Sequence, residues 1–542
     1  MPFGSDFPDN IPILIAGAGP VGLALASDLG WRGISCLVIE QGDGTIDHPR
    51  ANAENARTME FCRRWGIADK VRTSGTPENF PHTVLYLTSM NGYEVVRIDR
   101  PGHGGGRPSG FSPERPQRCN QLWFDPILRE LAESFPTVNL KYQCRLESYK
   151  QDDNGVVATV VDSVSGEKRE IACQYLVDCC GGASPVRRAL GIRMDGKPVV
   201  EYNVNLFYRI PNFPTLHDKG DAAMLFMLDE TGVWASLVEL NGADLWRIGL
   251  RGKDIYEHPE TIDTKETLRR VIGKDVPHEL LSAKPWIARD LVAESYGSGR
   301  VFLAGDAAHL NTPSGGFGMN TGLGDAVDIG WKLAAMVQGW GGPKLMATYE
   351  AERQPVAVRN VRQATHNFEM AIATETGPDI NDPGAAGEAA RKKVGDWIRS
   401  SRTRTFITDG TALGYVYESS IVVPDGTPPQ EDTIIQYHPS SRPGGRAPHA
   451  WLADGRSTLD LFGKGFTLLD FAEGSAAMRD ELKAAFASRQ VPLEVVSIDD
   501  PEIAKLYESP LVLVRPDGHV AWRSTPDTIG AEAIVDQVRG AA

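Results

Sequence analysis

The chain has 542 residues, a formal net charge of −15, and 41% hydrophobic and 23% charged residues. Such a length divides into about two to four domains, and the acidic balance excludes the broad basic face that a nucleic acid or an anionic membrane surface demands. No apolar run has the length of a membrane span or a signal peptide, and the 7 cysteines, from Cys36 to Cys180, show no metal-like spacing. They read as reduced thiols of a cytoplasmic chain, with Cys179 and Cys180 buried.

The first predicted elements lie in IPILIAGAGPVGLALASDLGWRGISCLVIE, residues 11–40. A β-branched run, a glycine turn, an Ala/Leu-rich helix and a second apolar strand ending in Glu40 make a βαβ unit. In such a unit Gly17 permits the tight turn and Gly19 lets a pyrophosphate approach the backbone. Gly22 lets helix pack on strand, and Glu40 stands where an acid accepts from ribose hydroxyls. The unit binds a dinucleotide but does not distinguish FAD from NAD. It occurs once, so a nicotinamide cofactor is expected to bind transiently.

Residues 195–290 hold strand-like runs separated by Gly, Asp and Asn turns, including EYNVNLFYRI and VWASLVEL, which predict an antiparallel sheet. Most of its aromatics, Tyr202, Phe207, Tyr208, Phe226, Trp234 and Trp246, are expected to pack the sheet, and the rest to line an apolar pocket.

In GRVFLAGDAAHLNTPSGGFGMN, residues 299–320, an apolar strand delivers Asp306 to its end, where a carboxylate can bind a polyol such as a ribityl chain. Gly315, Gly316 and Gly318 keep side chains away from a flat ligand. The helix that follows aims backbone N–H groups of Met319 and Asn320 at that ligand and favours negative charge there. Residues 375–388 read as an exposed loop and 422–449 as a linker. From Ala450 onward, strand and helix signals alternate as in a small α/β domain without cysteines.

These motifs, with MNTGLGDAVDIGWKL, LGYVYESS and VLVRPDGHVAWRS, fall in one order along nearly the whole chain. In that order the sequence resembles the single-component flavin-dependent aromatic hydroxylases, the class of p-hydroxybenzoate hydroxylase, in its phenol hydroxylase branch. The resemblance implies an α/β fold: a Rossmann-like FAD-binding domain in two parts (1–194 and 291–375), an antiparallel substrate-binding sheet (195–290), a helical and linker segment (376–449) and a thioredoxin-like domain (450–542). It implies FAD as cofactor, NAD(P)H and O2 as co-substrates, a small aromatic substrate and a homodimer, with no nucleic acid, membrane or metal involved. The implied reaction hydroxylates a phenol ortho or para to its OH through a C4a-hydroperoxyflavin. A dehydrogenase or reductase on the same fold is the alternative.

By the same resemblance Glu40 holds the adenosine ribose, Arg50 and Gln121 contact FAD, and Asp306 holds the ribityl chain. Gly318, Met319 and Asn320 meet the isoalloxazine, and Pro313 faces the ring through its carbonyl. Threading the substrate sheet on the hydroxybenzoate pattern brings Phe226, Leu237, Glu239 and Trp246 to the substrate, with Tyr202 a further lining candidate. Glu239 standing where that enzyme has an arginine favours a neutral phenol. His48, beside Arg50, is a candidate to polarise the phenolic OH, although a lone histidine is more often structural. The chain departs from the family at VDCCGGASPVRRALG, where Cys180 replaces the usual Asp and Asp178 is a candidate substitute.

Overall fold

The computed structural model describes residues 3, 7–99, 110–429, 431–471, 475–526 and 529–542. At its centre, parallel strands lie in the order Val138–Lys141, Cys36–Ile39, Asn10–Ala16, Lys168–Asp178 and Val301–Leu303. Asn10–Ala16 and Cys36–Ile39 are almost unbroken apolar runs because both faces of this sheet are covered. The helix Pro20–Trp31 starts with proline in its first turn, where no N–H is missed. Its Leu23, Leu25 and Leu29 are buried in the same core as Leu323 and Ile329 of the long helix Phe317–Val337.

A second sheet of eight strands stands beside the first, ordered His309–Leu310, Glu279–Ala293, Met194–Arg209, Leu245–Arg251, Gly232–Glu239, Met224–Asp229, Val84–Leu87 and Glu94–Ile98. It is antiparallel except where Met224–Asp229 pairs with Val84–Leu87. Its last two strands come from the N-terminal segment, which the sequence placed with the FAD-binding part. One face carries Leu206, Leu225, Leu237 and Ile248 beneath the amphipathic helix Thr264–Ile272, whose Leu268 and Val271 complete that core. Asp263 caps this helix by accepting from the Glu266 N–H, and Gly273 ends it at φ 91°. The other face turns toward the first sheet.

The third sheet, ordered Leu493–Ser497, Phe466–Asp470, Leu511–Val514 and Val520–Arg523, has the helices Ala476–Ser488, Pro501–Tyr507 and Ala531–Val538 in a thioredoxin-like sequence of elements. It docks on the helix Phe317–Val337 through Trp331, whose ring lies 6.2 Å from that of Phe466. Among the described residues, no helix is long and apolar enough to cross a membrane.

Candidate active site

The glycine turn has the geometry its sequence implies. Gly17 has φ 104°, and a Cβ there would stand 2.5 Å from the Cys179 carbonyl oxygen; one on Gly22 would fall 1.9 Å from the Gly17 carbonyl oxygen. A Cβ on Gly19, by contrast, would meet only open space. Gly19 is also the N-cap of the helix Pro20–Trp31 and places no side chain over its N–H groups, so they are left for an anion. Glu40, at the end of the second strand, accepts from Ala18 N–H at 2.9 Å and Gly42 N–H at 2.8 Å, tying the turn to the acid.

Asp306 sits in the short turn Gly305–Ala307 after the strand Val301–Leu303. It is exposed to the cleft, and among the described residues no hydrogen bond reaches its carboxylate. Arg50 is also exposed; desolvation raises the Asp306 pKa, and the nearby His309 and Arg50 charges offset part of that rise. Gln121 opens the helix Gln121–Glu133 and accepts from Ala51 N–H at 3.0 Å, fixing the backbone beside Arg50. Downstream, Pro313 is exposed and its carbonyl accepts a 3.3 Å bond from Gly316 N–H, closing the turn before the helix Phe317–Val337. Gly316, at φ 68°, caps that helix without a side chain, while Gly318 would carry a Cβ at ordinary contact distance from Asn311. Met319 is half-buried.

The side chain of Asn320 is fully occupied. It accepts from Asn55 N–H at 2.9 Å and Thr58 Oγ1 at 2.6 Å, and donates to the Ala53 and Gly316 carbonyls. It therefore staples the helix start to residues 53–58, leaving only its backbone as a ligand contact. An open glycine cradle, an uncapped helix end, a partnerless carboxylate at the strand end and a second uncapped helix N-terminus fit FAD. They suit in turn its pyrophosphate, ribityl chain and ring.

His48 is buried against the cleft face of the second sheet, with Nδ1 2.8 Å from Ser282 Oγ, while no partner reaches its Nε2. Burial, then the nearby Arg247 and Lys284 charges, pulls its pKa down to about 4. Strand register decides which other residues share that face. Phe226 pairs with Ser236, Ser236 with Gly249 and Arg247 with Phe207, so Phe226, Val238, Arg247 and Phe207 lie on it.

Four of the expected substrate contacts are corrected by this register. Leu237 and Trp246 point to the opposite face and pack beneath the helix Thr264–Ile272. Tyr202 rests on Tyr256, ring centroids 4.9 Å apart. Glu239 is buried, and its carboxylate accepts from Thr76 Oγ1 at 2.8 Å, Gly242 N–H at 2.7 Å and Arg118 Nε at 3.2 Å, so it has no free oxygen for a ligand. Phe226 is on the cleft face but stacks on Tyr86 at 4.7 Å under the helix Ala385–Phe406. Side chains alternate between the two faces of a strand, so an ungapped threading that is not anchored by register assigns faces wrongly.

The residue missed in sequence is Arg247. It reaches across the cleft to donate to the Arg50 carbonyl at 3.0 Å, its Nε is buried without a partner, and among the described residues no carboxylate pairs with it. Burial, with Arg118 beside it, lowers its pKa to about 10. Arg118 Nη2 is likewise buried and unpartnered. Asp178 is not free to substitute for the family's Asp: buried, it accepts from Cys180 N–H at 2.9 Å and from the Ser184 hydroxyl. Cys179 is half-buried and Cys180 exposed, against the expectation of two buried thiols.

Residues 10–364 match the family described as FAD binding domain, and residues 440–542 the family described as aromatic-ring hydroxylase, C-terminal. The chain is 30% identical to the FAD-dependent monooxygenase apdD of Emericella nidulans, with 97% of this chain and 89% of that protein covered. It is 32% identical to the tetracenomycin A2 monooxygenase-dioxygenase of Streptomyces glaucescens, with 95% and 94% covered. Among solved structures, chromopyrrolic acid-soaked RebC with bound 7-carboxy-K252c superposes with a TM-score of 0.92 at 42% identity, covering 99% of this chain and 100% of that one.

Proposed function

We propose, for a chain that belongs to the FAD-dependent aromatic-ring hydroxylases, that it uses NAD(P)H and O2 to hydroxylate a phenolic, fused-ring aromatic substrate bearing an acidic group. The chain is a flavin-dependent monooxygenase of aromatic substrates; its cofactor is FAD. The acidic group is the finer reading, and one observation carries it: half-buried Arg247 stands on the cleft face of the sheet with its Nε unpartnered and, among the described residues, no carboxylate pairing with it. A bidentate carboxylate satisfies such a group better than water or a neutral phenol does. RebC, solved with 7-carboxy-K252c, and the tetracenomycin A2 enzyme also support a large ring system over simple phenol.

Bound reduced flavin supplies the activation of dioxygen. The chain's own part is to orient the substrate and manage its proton. With Nδ1 engaged by Ser282, His48 offers Nε2 to a phenolic OH, and its low pKa keeps that nitrogen unprotonated at neutral pH. So weak a base polarises the phenolic O–H by accepting its hydrogen bond rather than its proton, and this makes the ring carbons ortho and para to the oxygen more nucleophilic. The wall of Phe207 and Val238 beside Arg247 is apolar and holds water away from the reacting atoms.

The test follows NAD(P)H oxidation, oxygen uptake and peroxide together over paired phenolic aromatics with and without a carboxylate. Oxidation stimulated by the acid members, with little peroxide, is the expected result. Stimulation by the neutral members alone contradicts the acidic-group reading. Substrate oxidation without oxygen uptake would make the enzyme a dehydrogenase.

A further inference from the structure

Beneath the FAD-binding turn lies a buried ionic cluster that reaches into the C-terminal domain. Asp325, on the helix Phe317–Val337, accepts from Gly305 N–H at 3.1 Å and faces His309 Nε2 at 2.7 Å. Its other oxygen accepts from Arg353 Nε at 2.8 Å, and Arg353 donates further to the Thr321 carbonyl and the Tyr417 hydroxyl. Beside Arg353, Glu352 accepts from both Lys332 and Arg515, and Asp328 accepts from the same two cations. Arg515 also pairs with Asp517, and the His519 ring lies against Tyr417 with centroids 4.3 Å apart and planes tilted by 37°. Each charged side chain of this cluster is no more than 3% exposed.

The chain of contacts therefore runs from the loop Arg515–Asp517–His519, through Glu352 and Arg353 on the helix Ala347–Ile372, to Asp325 and the backbone of Gly305. Gly305 has little freedom of its own. At φ 61°, a Cβ there would stand 2.8 Å from Val21, and its Cα lies 3.1 Å from where a Cβ on Gly322 would fall. A shift of Asp325 is thus transmitted to the turn that presents Asp306.

Buried ion clusters add little net stability over an apolar core, whereas removing one member leaves uncompensated charge. Without Arg515, Asp328 and Glu352 share Lys332 alone, and Arg353 is drawn from Asp325 toward the surplus negative charge. We propose that Arg515 of the cysteine-free C-terminal domain is a positioning residue for FAD, setting the Gly305–Asp306 turn through Glu352, Arg353 and Asp325. The domain thereby completes the flavin site without touching it.

The test measures FAD binding to the full-length apoprotein by quenching of flavin fluorescence, with thermal unfolding of each apoprotein alongside. Arg515→Met is expected to weaken FAD binding at least tenfold. Arg489→Met, which breaks the Arg489–Asp536 pair within the same domain, leaves it unchanged. Asp325→Asn weakens FAD binding similarly, and the double variant Arg515→Met with Asp325→Asn is clearly less than additive, because both act on one contact path. Should Arg515→Met not fold, Arg515→Lys keeps the charge without the fork and is expected to bind FAD several-fold more weakly. Equal weakening by Arg489→Met, additive effects in the double variant, or unchanged FAD affinity in the folded Arg515 variant each overturns the proposal.

Discussion

His48 Nδ1 lies 2.8 Å from Ser282 Oγ, which joins the loop beside Arg50 to the strand Glu279–Ala293 of the substrate sheet. This one contact ties the imidazole to the substrate sheet and leaves Nε2 buried without a partner. His48→Gln is expected to lower hydroxylation about 100-fold, the usual range for a lost proton acceptor, with FAD affinity unchanged. Product formation by the wild type keeps its rate on acidification to well below pH 6.5, because His48 stays neutral until about pH 4. A rate already halved near pH 6.5 by a group absent from His48→Gln would contradict this.

Arg247→Met removes the acid-free cation and nearly preserves its length. Losing a charge-assisted pair costs about 1.5–3 kcal/mol, so KM for a carboxylated substrate should rise about tenfold to a hundredfold. KM for the matching neutral phenol should be unchanged or lower. Equal effects on both would show that Arg247 only packs the wall.

The glycines of the first turn separate folding from binding. Gly22→Ala drives a methyl into the Gly17 carbonyl oxygen, a backbone atom that cannot swing aside, and should destabilise the apoprotein markedly. Gly19→Ala meets nothing and should leave apoprotein melting unchanged while weakening FAD binding. Calorimetry of the two apoproteins, followed by flavin titration, checks both halves. Normal FAD binding by Gly19→Ala would mean that the pyrophosphate lies elsewhere.

Much of the first domain was legible because its chemistry is local. A strand, a glycine turn and a helix are contiguous, and the spacing of Gly17, Gly19, Gly22 and Glu40 defines one structure. The strand end carrying Asp306 was equally readable, since the apolar run and the glycines sit side by side. The substrate wall was not, because a sheet reads differently after a one-residue slip: Leu237 and Trp246 look as suitable as Val238 and Arg247 until register is known. Glu239 and Asp178 misled for a different reason. Folding brings Arg118 to Glu239, and the local turn brings Ser184 to Asp178, while a satisfied buried acid has the same letter as a ligand-binding one. Arg247 carried a faint signal, a charge inside the strand run LWRIGL where alternation already put polar residues outward. The ionic cluster under the flavin turn joins residues separated by most of the chain and had no sequence signal.

Glu54 provides a pH prediction. It is fully buried with one carboxyl oxygen accepting from Cys119 N–H at 2.9 Å and the other without a partner. Burial pushes its pKa from 4.5 up to about 8. The folded chain then holds a proton that the unfolded chain releases above pH 4.5, so this group destabilises the fold progressively between pH 4.5 and 8. Glu54→Gln removes that dependence. The melting temperature of the wild type should fall relative to the variant as pH rises through this window, and a constant difference would contradict it.

On the proposed function, this chain is expected to place one atom of dioxygen into an aromatic acid held by Arg247. The most direct measurement is mass spectrometry of the product formed under 18O2 with NAD(P)H and a phenolic aromatic carboxylic acid. One 18O atom is expected in the ring-hydroxylated product of the wild type, with a greatly reduced yield from Arg247→Met under the same subsaturating conditions. Product carrying only solvent oxygen, or equal labelled yield from both proteins, would contradict it.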